Sequence, residues 1–293
     1  MMKKKIILFL VAIACLSLSA CGKENAAQMQ TSAASEASEV STETEETSTE
    51  ESTMQIDNGE DSEYDVTIDM KDDSEEIKNE EGVFLLRVTE SFPDVTIDGS
   101  AAAADNINDF YAKEKESFEA SIEETKQMAE EDYKFRMEDN PDSWKDENAY
   151  EMGTSYEVKR SDDQCISIVN DTYSSTGGAH PNSARFAATF DTASGEKLTL
   201  DNLFQDAEKA KSFINDYLLK EMKDKEEEGM FFDDYEKDVP SILDDNTWYL
   251  SKEGFVVICN EYIVSPHAAG IMEYTIPYSE FSNFSELYKP AAK

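Results

Sequence analysis

The sequence changes character at Tyr64, and this change decides which part of the chain can fold. Residues 24–62 consist mainly of Ser, Thr, Glu, Ala and Gln, with eleven acidic residues and no aromatic one. Such a segment buries too little apolar surface to offset the entropy lost on ordering, so residues 21–62 are predicted to form a disordered acidic stalk. From Tyr64 onward, apolar and polar residues alternate with the period of a half-buried strand. We therefore expect the folded head within residues 63–293.

The N-terminus has the pattern of an export signal. Three lysines at positions 3–5 precede an apolar run over residues 6–16, and small residues lead into Cys21. The string Leu18-Ser19-Ala20-Cys21 resembles the lipobox of bacterial lipoproteins. That resemblance implies a signal peptide over residues 1–20 and a Cys21 thiol carrying acyl chains such as palmitate, on the extracytoplasmic face of the cell membrane. An ordinary signal peptide with a chance cysteine is the alternative. An uncleaved transmembrane helix is not expected, since the apolar run is shorter than the roughly 20 residues that span a bilayer.

Charge excludes one large class of partners. The chain has 65 Asp and Glu residues against 26 Lys and Arg residues, a formal net charge of −39. Nucleic-acid binding needs clustered cations, so it is not expected here. A cationic partner would be attracted and oriented by this field, although solubility alone also accounts for an acidic surface.

Hydrophobic periodicity predicts an α+β fold that has a mainly antiparallel sheet, one long amphipathic helix and one shorter amphipathic helix. Hairpin-length connections outnumber those long enough for a crossover helix. A division near residues 145–151 suggests two tightly packed modules, 63–148 with the long helix and 149–293 with the histidine loops. Strands are predicted at 64–70, 82–97, 154–159, 165–173, 184–191, 247–250, 254–264 and 271–276. The long helix is predicted to begin after Ser100, the expected N-cap, and to end before Pro141. The shorter helix is predicted over 207–228, with Gly229 as its C-terminal cap.

Two cysteines, Cys165 and Cys259, remain in the predicted head, each in an apolar, strand-like run. An exported chain permits a disulfide between them, and two separate buried thiols account for the pattern equally well.

The two histidines mark the candidate binding site. His180 and His267 each follow a small-residue or proline-containing stretch between predicted strands, a setting common in recognition loops. Aromatic residues near these loops could anchor a ligand. The predicted ligand-binding residues are Tyr173, Gly177, Gly178, His180, Pro181, Asn182, Tyr262, Pro266, His267 and Tyr278. Two plain hairpin connections with exposed histidines are the alternative.

Catalytic and metal motifs are weak in this sequence. Two histidines and a carboxylate could ligate zinc, but no His-x-x-x-His, His-Glu-x-x-His or Cys-x-x-Cys spacing occurs. There is no Gly-x-Ser-x-Gly motif for a nucleophilic serine, and Asp233-Asp234 is expected to be a solvated turn. No cofactor, metal or catalytic residue is predicted.

Several segments resemble a domain family of largely unknown function, found in the ectodomains of lysozyme-sensing anti-sigma factors and before the catalytic domain of some peptidoglycan deacetylases. The segments are 173–182, with its Gly-Gly-Ala-His-Pro-Asn loop, 189–204 and 268–278, and residues 92–108 resemble the companion module. The resemblance covers most of residues 64–288. It implies an extracellular domain that binds lysozyme. No sigma-binding segment, spanning helix or deacetylase domain is identified, so the shared binding module is what we expect here.

The sequence therefore predicts a non-enzymatic, membrane-anchored lipoprotein whose head binds an extracellular ligand. A lysozyme-like protein is the first expected partner and a peptidoglycan-derived glycan the second, with the membrane contacted through the lipid anchor only. The alternatives are a cell-wall-modifying hydrolase or deacetylase, and a structural envelope lipoprotein.

Overall fold

Two sheets and one long helix make up the head, which confirms the predicted α+β class. The computed structural model describes residues 53–55, 63–140, 142–224 and 230–290. The elements are β1 (Thr53–Gln55), β2 (Asp65–Lys78), β3 (Phe84–Asp98), α1 (Ala101–Asp139), β4 (Tyr150–Ser161), β5 (Cys165–Ser175), β6 (Asn182–Asp191), α2 (Leu200–Leu203), α3 (Ala207–Asp224), β7 (Trp248–Leu250), β8 (Gly254–Cys259) and β9 (Met272–Pro277).

The larger sheet has six strands in the order β1-β2-β3-β4-β5-β6. Neighbours are antiparallel except for β3 and β4, which run parallel with Leu86 opposite Tyr150. A parallel pair needs a long crossover connection, and α1 provides it. Because β3 pairs with β4, the sheet continues across the module boundary predicted at residue 148. Residues 53–55, inside the predicted stalk, form β1 on the edge of β2, where free backbone groups can pair with a chain of any composition.

Helix α1 lies on one face of the larger sheet. Apolar residues that recur at spacings of four and seven along the helix form its inner stripe, with Ile107, Tyr111, Ile122 and Ala129 buried. The helix ends at Asp139 as expected, while Pro141 itself lies outside the described residues. Ser100 is the N-cap residue, as predicted, but its hydroxyl makes no capping bond and instead donates to the carbonyl oxygen of Ala193 at 3.1 Å. The hydroxyl therefore makes a tertiary hydrogen bond in place of a local one to the first turn of the helix.

The three-stranded sheet β7-β8-β9 packs on part of the opposite face of the larger sheet. Strand β8 is buried on both sides, which explains its continuous apolar run. Val256 and Ile258 pack towards Val169 of β5, whereas Phe255 and Val257 pack with Ile214 of α3. The head is thus layered as helix, large sheet, small sheet and helix. No helix among the described residues is long and apolar enough to cross a bilayer.

Strand β8 is shorter than predicted, and this difference shapes the site. The prediction extended it to residue 264, but the strand ends at Cys259 and a turn follows. In that turn Tyr262 adopts a left-handed backbone conformation with φ of 65°. A bulky residue rarely adopts this conformation, so an apolar run alone did not indicate the turn. Gly229, the expected cap of α3, lies outside the described residues.

Cys165 and Cys259 are free, buried thiols. Of the two readings left open by the sequence, the structure therefore has the separate thiols. Burial raises the pKa of Cys165 and of Cys259 to about 12 in each case. Both side chains belong to one large apolar cluster that α3 and the small sheet form together.

Candidate functional site

The two histidine loops meet in space. His180 lies in the hairpin between β5 and β6, and His267 begins a single turn of 3₁₀ helix between β8 and β9. Their imidazole rings stack with centroids 4.1 Å apart and planes inclined by 11°. Tyr262 lies roughly parallel to both rings, with centroids 6.4 Å from His180 and 6.3 Å from His267. We call His180, Tyr262 and His267 the ring cluster.

Hydrogen bonds orient each ring of the cluster. His267 Nδ1 lies 2.6 Å from Glu261 Oε2, and since a carboxylate can only accept, Nδ1 carries the proton. His180 Nδ1 lies 3.1 Å from the carbonyl oxygen of Pro181, so it too is the donor. In the neutral ring the other nitrogen then accepts from the Tyr262 hydroxyl, 3.3 Å away. Each imidazole is therefore oriented by a neighbour in its own loop, and His180 is also oriented by Tyr262 from the other loop.

A polar network behind the cluster joins the two loops. The Asn260 side chain accepts from the backbone nitrogen of Arg185 and donates to its carbonyl oxygen, at 2.7 and 2.9 Å. Arg185 in turn forms two parallel bonds to Asp171, at 2.7 and 2.8 Å, and a third to Glu273 at 3.2 Å. The hydrogen bond to Asp171 is the main reason why the pKa of Arg185 is raised. The base of the site is thus tied to β5, β6 and β9.

Both loops that form the ring cluster contain a residue with a positive φ angle. Gly177 has φ of 76°, a value that favours glycine, in the hairpin that carries His180. A Cβ at Gly177 would lie 3.2 Å from Arg136 Nη2, so this hairpin passes close to the C-terminal part of α1. Tyr262, in its left-handed conformation, remains 51% exposed. Strained backbone of this kind in a non-glycine residue is often associated with a functional site.

The structure unites some of the predicted residues and separates others. His180, Tyr262 and His267 form the ring cluster, Pro181 and Pro266 each adjoin one of its histidines in sequence, and Gly177, Gly178 and Asn182 complete the hairpin. Two tyrosines lie elsewhere. Tyr173 is on β5, where its hydroxyl donates to Glu151 Oε2 at 3.3 Å.

Tyr278 is not brought to the loops, because its ring is buried in the core. Its hydroxyl donates to the Ser251 carbonyl at 2.7 Å and accepts from Arg160 Nη1 at 3.2 Å. Tyr278 follows β9 directly in sequence, and sequence proximity to a strand end did not reveal that its ring turns inward.

Three residues of the site were not predicted. Glu261 orients His267 while its own side chain is only 6% exposed, and Asn260 and Arg185 join the loops. The sequence held one usable signal, since Asn260 and Glu261 directly precede Tyr262 and interrupt an apolar run. Arg185 carried none, because its role depends on pairing with residues far away in the chain.

The site is acidic and offers contact surface. Glu261 pairs with His267, and Asp171 and Glu273 pair with Arg185 in the neighbouring polar network. No described group of three or more His, Cys, Asp or Glu residues is arranged to hold a metal ion. Within the described part of the chain, no Ser, Thr or Cys side chain hydrogen-bonds to either imidazole. What the arrangement presents is stacked aromatic rings bordered by negative charge.

The chain is similar to two families at once. Residues 77–183 match the family described as Deacetylase PdaC, and residues 201–279 match the family described as Protein of unknown function (DUF3298). His180 lies in the first matched region, whereas Tyr262 and His267 lie in the second. The ring cluster therefore joins the two regions. No curated protein matches the chain.

Solved structures are similar in fold. A crystal structure of a DUF3298 family member from Bacteroides fragilis NCTC 9343 superposes with a TM-score of 0.53 at 18% identity, covering 74% of this chain and 94% of that one. A DUF3298 family protein from Pseudomonas aeruginosa PAO1 has a TM-score of 0.47 at 14% identity, covering 77% and 97%. The superposition on the first of these structures shows that the two chains share a fold.

Proposed function

We propose that this protein is a membrane-anchored extracytoplasmic lipoprotein whose head binds a cationic, lysozyme-like protein through the ring cluster. The observation that carries the proposal is the stacking of His180 on His267 at 4.1 Å from two separate loops. Clustered aromatic surface with one half-exposed tyrosine is the kind of anchor that dominates protein interfaces. The head then acts by holding its partner and catalyses nothing.

Charge supports a basic partner. The chain carries a formal net charge of −39, and the ring cluster and its polar network together include three carboxylates and the guanidinium of Arg185. Such a field speeds the approach of a basic protein and weakens as salt screens it. Many lysozymes are strongly basic, which suits this surface.

The family matches support a role at the cell wall. One matched family carries the name Deacetylase PdaC, and the regions it and the second family match together contain the ring cluster. Lysozyme binding itself comes from the resemblance to the ectodomains of lysozyme-sensing anti-sigma factors. Acylation at Cys21 would keep the head at the outer surface of the membrane, where an extracellular protein first arrives.

Titration of the purified chain with lysozyme, at low and at physiological salt, tests the binding. The double variant His180→Ala/His267→Ala and the single variant Tyr262→Ala should each weaken binding by about tenfold or more, or about 1.4 kcal/mol. Phe135→Ala is the control, because Phe135 is an aromatic side chain on α1 that is 72% exposed. Absence of binding at both salt concentrations, or equal affinity for all these variants, would contradict the proposal.

Metal analysis separates this function from a metal-dependent hydrolase or deacetylase. Stoichiometric zinc in the purified protein that disappears in His180→Ala or His267→Ala would favour the enzyme. Binding without metal is what the proposal expects.

Labelling cells with an alkyne analogue of palmitate tests the anchor. The wild type should be labelled and found in the membrane fraction, and Cys21→Ser should lose both properties. Cys15→Ser is the matched control, because Cys15 lies within the predicted signal peptide and its replacement should leave labelling intact. Labelling that persists in Cys21→Ser would rule out Cys21 as the anchor.

A further inference from the structure

We propose that a hydroxyl-lined groove on the larger sheet is a second binding site, for a neutral oligosaccharide. The groove has a volume of about 320 Å³ and is lined by Thr89, Gly153, Thr154, Ser155, Asp171, Thr172, Tyr173 and Ser183. This volume lies within the range of small-molecule sites. The groove contains none of the three rings of the ring cluster, although Asp171 belongs both to its lining and to the polar network beside the cluster, and its ligand is of a different class.

The groove lies where the small sheet leaves the larger sheet uncovered, on the face opposite α1. Side chains alternate between faces along a strand, so Val169, Asp171 and Tyr173 of β5 all point away from α1. Val169 is covered by Val256 and Ile258 of the small sheet. Asp171 and Tyr173 lie further along β5, next to Ser155 and Gly153 of β4, beyond that cover.

Gly153 gives the groove its floor. It is buried and lies opposite Thr89 in the parallel pair of β3 and β4. A Cβ at this position would be 2.6 Å from Thr89 Oγ1 and 3.2 Å from the Thr89 carbonyl oxygen. Any other residue here would push the Thr89 side chain aside, so glycine keeps this hydroxyl at the base of the groove.

Several hydroxyls in the groove are unused within the protein. The side chains of Thr89, Ser155 and Ser183 make no hydrogen bond to any described residue. Each hydroxyl can both donate and accept, which matches a ligand that itself carries many hydroxyls. Because Thr89 and Ser155 are exposed, a ligand can reach their hydroxyls and take the place of the solvent that hydrates them.

Tyr173 supplies an aromatic wall. Its ring is 40% exposed, and the bond from its hydroxyl to Glu151 Oε2 restrains the side chain. The carbon-bound hydrogens on one face of a pyranose ring form an apolar surface that packs on such a ring. A hydroxylated floor beside an aromatic wall is therefore a combination that fits a sugar better than an apolar ligand.

The charged groups at the groove favour a neutral ligand. The two oxygens of Asp171 accept from Arg185 at 2.7 and 2.8 Å, so the carboxylate is held still and retains lone pairs for a sugar hydroxyl. Glu151, which accepts from Tyr173, is paired with Arg87 at 3.8 Å. The residues that line the groove include no Lys or Arg that could pair with the carboxylate of an acidic sugar such as a uronic acid, so a neutral oligosaccharide is the class that fits.

Binding of three trisaccharides to the purified full chain tests the site, with ligand-observed NMR or calorimetry as the measurement. Chitotriose and cellotriose are neutral, and trigalacturonate has a similar size but carries carboxylates. At least one neutral trisaccharide should bind with a Kd of about 1 mM or tighter, and trigalacturonate should bind at least about tenfold more weakly.

Variants localise the binding. Tyr173→Ala and Ser155→Ile should each weaken it at least about tenfold, and Tyr173→Trp should retain it. Ser155 is exposed on its strand, so isoleucine fills the groove without entering the core, and a thermal melt checks that the variant is folded. Tyr262→Ala in the ring cluster is the control that should leave affinity unchanged.

Binding lost in Tyr173→Ala and retained in Tyr262→Ala would support the groove. Failure of the wild type to bind either neutral trisaccharide would overturn it, and so would unchanged binding in both Tyr173→Ala and Ser155→Ile. Equal affinity for trigalacturonate would also contradict it, because a lining without Lys or Arg gives the acidic sugar no partner for its carboxylates. None of these measurements uses lysozyme, so they stand apart from the test of the ring cluster.

Discussion

The Asn260 side-chain amide pairs with the backbone of Arg185 as a neighbouring strand would. Its oxygen accepts from the Arg185 nitrogen at 2.7 Å, and its nitrogen donates to the Arg185 carbonyl oxygen at 2.9 Å. Strand β6 is the last strand of the larger sheet, so its outer edge needs such partners. A second one is the carbonyl oxygen of Asn246, which accepts from the Ala187 nitrogen at 2.7 Å. The edge of one sheet thus holds the loop that carries Tyr262.

Replacing Asn260 should loosen this junction. Asn260→Ala leaves two backbone groups of Arg185 without partners, and we expect the free energy of unfolding to fall by about 1–3 kcal/mol, measured by urea denaturation. Asn283→Ala is the control, since its amide makes a single long bond of 3.4 Å to the Asp206 carbonyl oxygen. A loss in Asn260→Ala no greater than in Asn283→Ala would contradict the junction.

Gly195 should be among the least replaceable residues of the head. Its φ is 69°, and a Cβ would lie 2.1 Å from the carbonyl oxygen of Ala103 at the start of α1. Gly195→Ala should therefore cost about 3 kcal/mol or more through strain and steric overlap. Gly82→Ala separates the two causes, because Gly82 has φ of 82° with nothing within 4 Å of the added Cβ. It should cost about 1–2 kcal/mol, and equal losses in the two variants would disprove the overlap.

Tyr278 is expected to stabilise the head without contributing to ligand binding. Tyr278→Phe removes the bonds to the Ser251 carbonyl and to Arg160, which is itself fully buried, and should lower the free energy of unfolding by about 1–2 kcal/mol. The matched variant Tyr262→Phe loses one exposed bond to His180 and should change stability by less than about 0.5 kcal/mol. Affinity for lysozyme should be unchanged in Tyr278→Phe. Weaker lysozyme binding by this variant would show that Tyr278 contributes to the binding site after all.

The buried thiols should make the protein less stable at alkaline pH. Burial raises the pKa of both Cys165 and Cys259 to about 12, against about 8.5 in an unfolded chain. Above that lower value the unfolded state releases protons that the folded state retains. The free energy of unfolding should then fall by about 1.4 kcal/mol per pH unit for each thiol, from pH of about 9 to about 12. Below pH of about 8 the contribution is fully present.

Urea denaturation of wild type and Cys259→Ala across this range measures the effect. The variant should lose stability at every pH because of the smaller side chain, and its slope above pH of about 9 should be shallower by about 1.4 kcal/mol per unit. Native protein at pH 8 should also react with a thiol reagent only as fast as it opens. Rapid labelling of either thiol in the native state would argue against their burial.

Periodicity accounts well for the secondary structure and less well for its ends. The four- and seven-residue spacing located α1, and alternation located the start of β2, because both patterns reflect which side of an element is buried. Strand β8 shows the limit of this reasoning. Its apolar run continues to residue 264, yet the chain leaves the sheet after Cys259, where Asn260 bonds to a strand edge that no local pattern indicates.

The candidate site was predicted in its residue types and not in its assembly. Two small-residue loops, each with a histidine, pointed to His180 and His267, and the structure stacks them. Glu261, Asn260 and Arg185 were not predicted, since each acts through a partner distant in sequence or through an orientation that composition does not encode. Tyr278 was included for its position beside a strand end, and the core enclosed it.

By itself, the sequence determined which fold class the head adopts, its negative charge and the two loops with histidines. These properties follow from composition and local periodicity, which depend on residues close together in the chain. Only the tertiary structure decided that residues 53–55 of the predicted stalk join the large sheet, that the two loops meet, that the thiols are separate, and that a groove stays open beside Tyr173. Such outcomes depend on strand order and on contacts between distant segments, and a linear pattern contains neither.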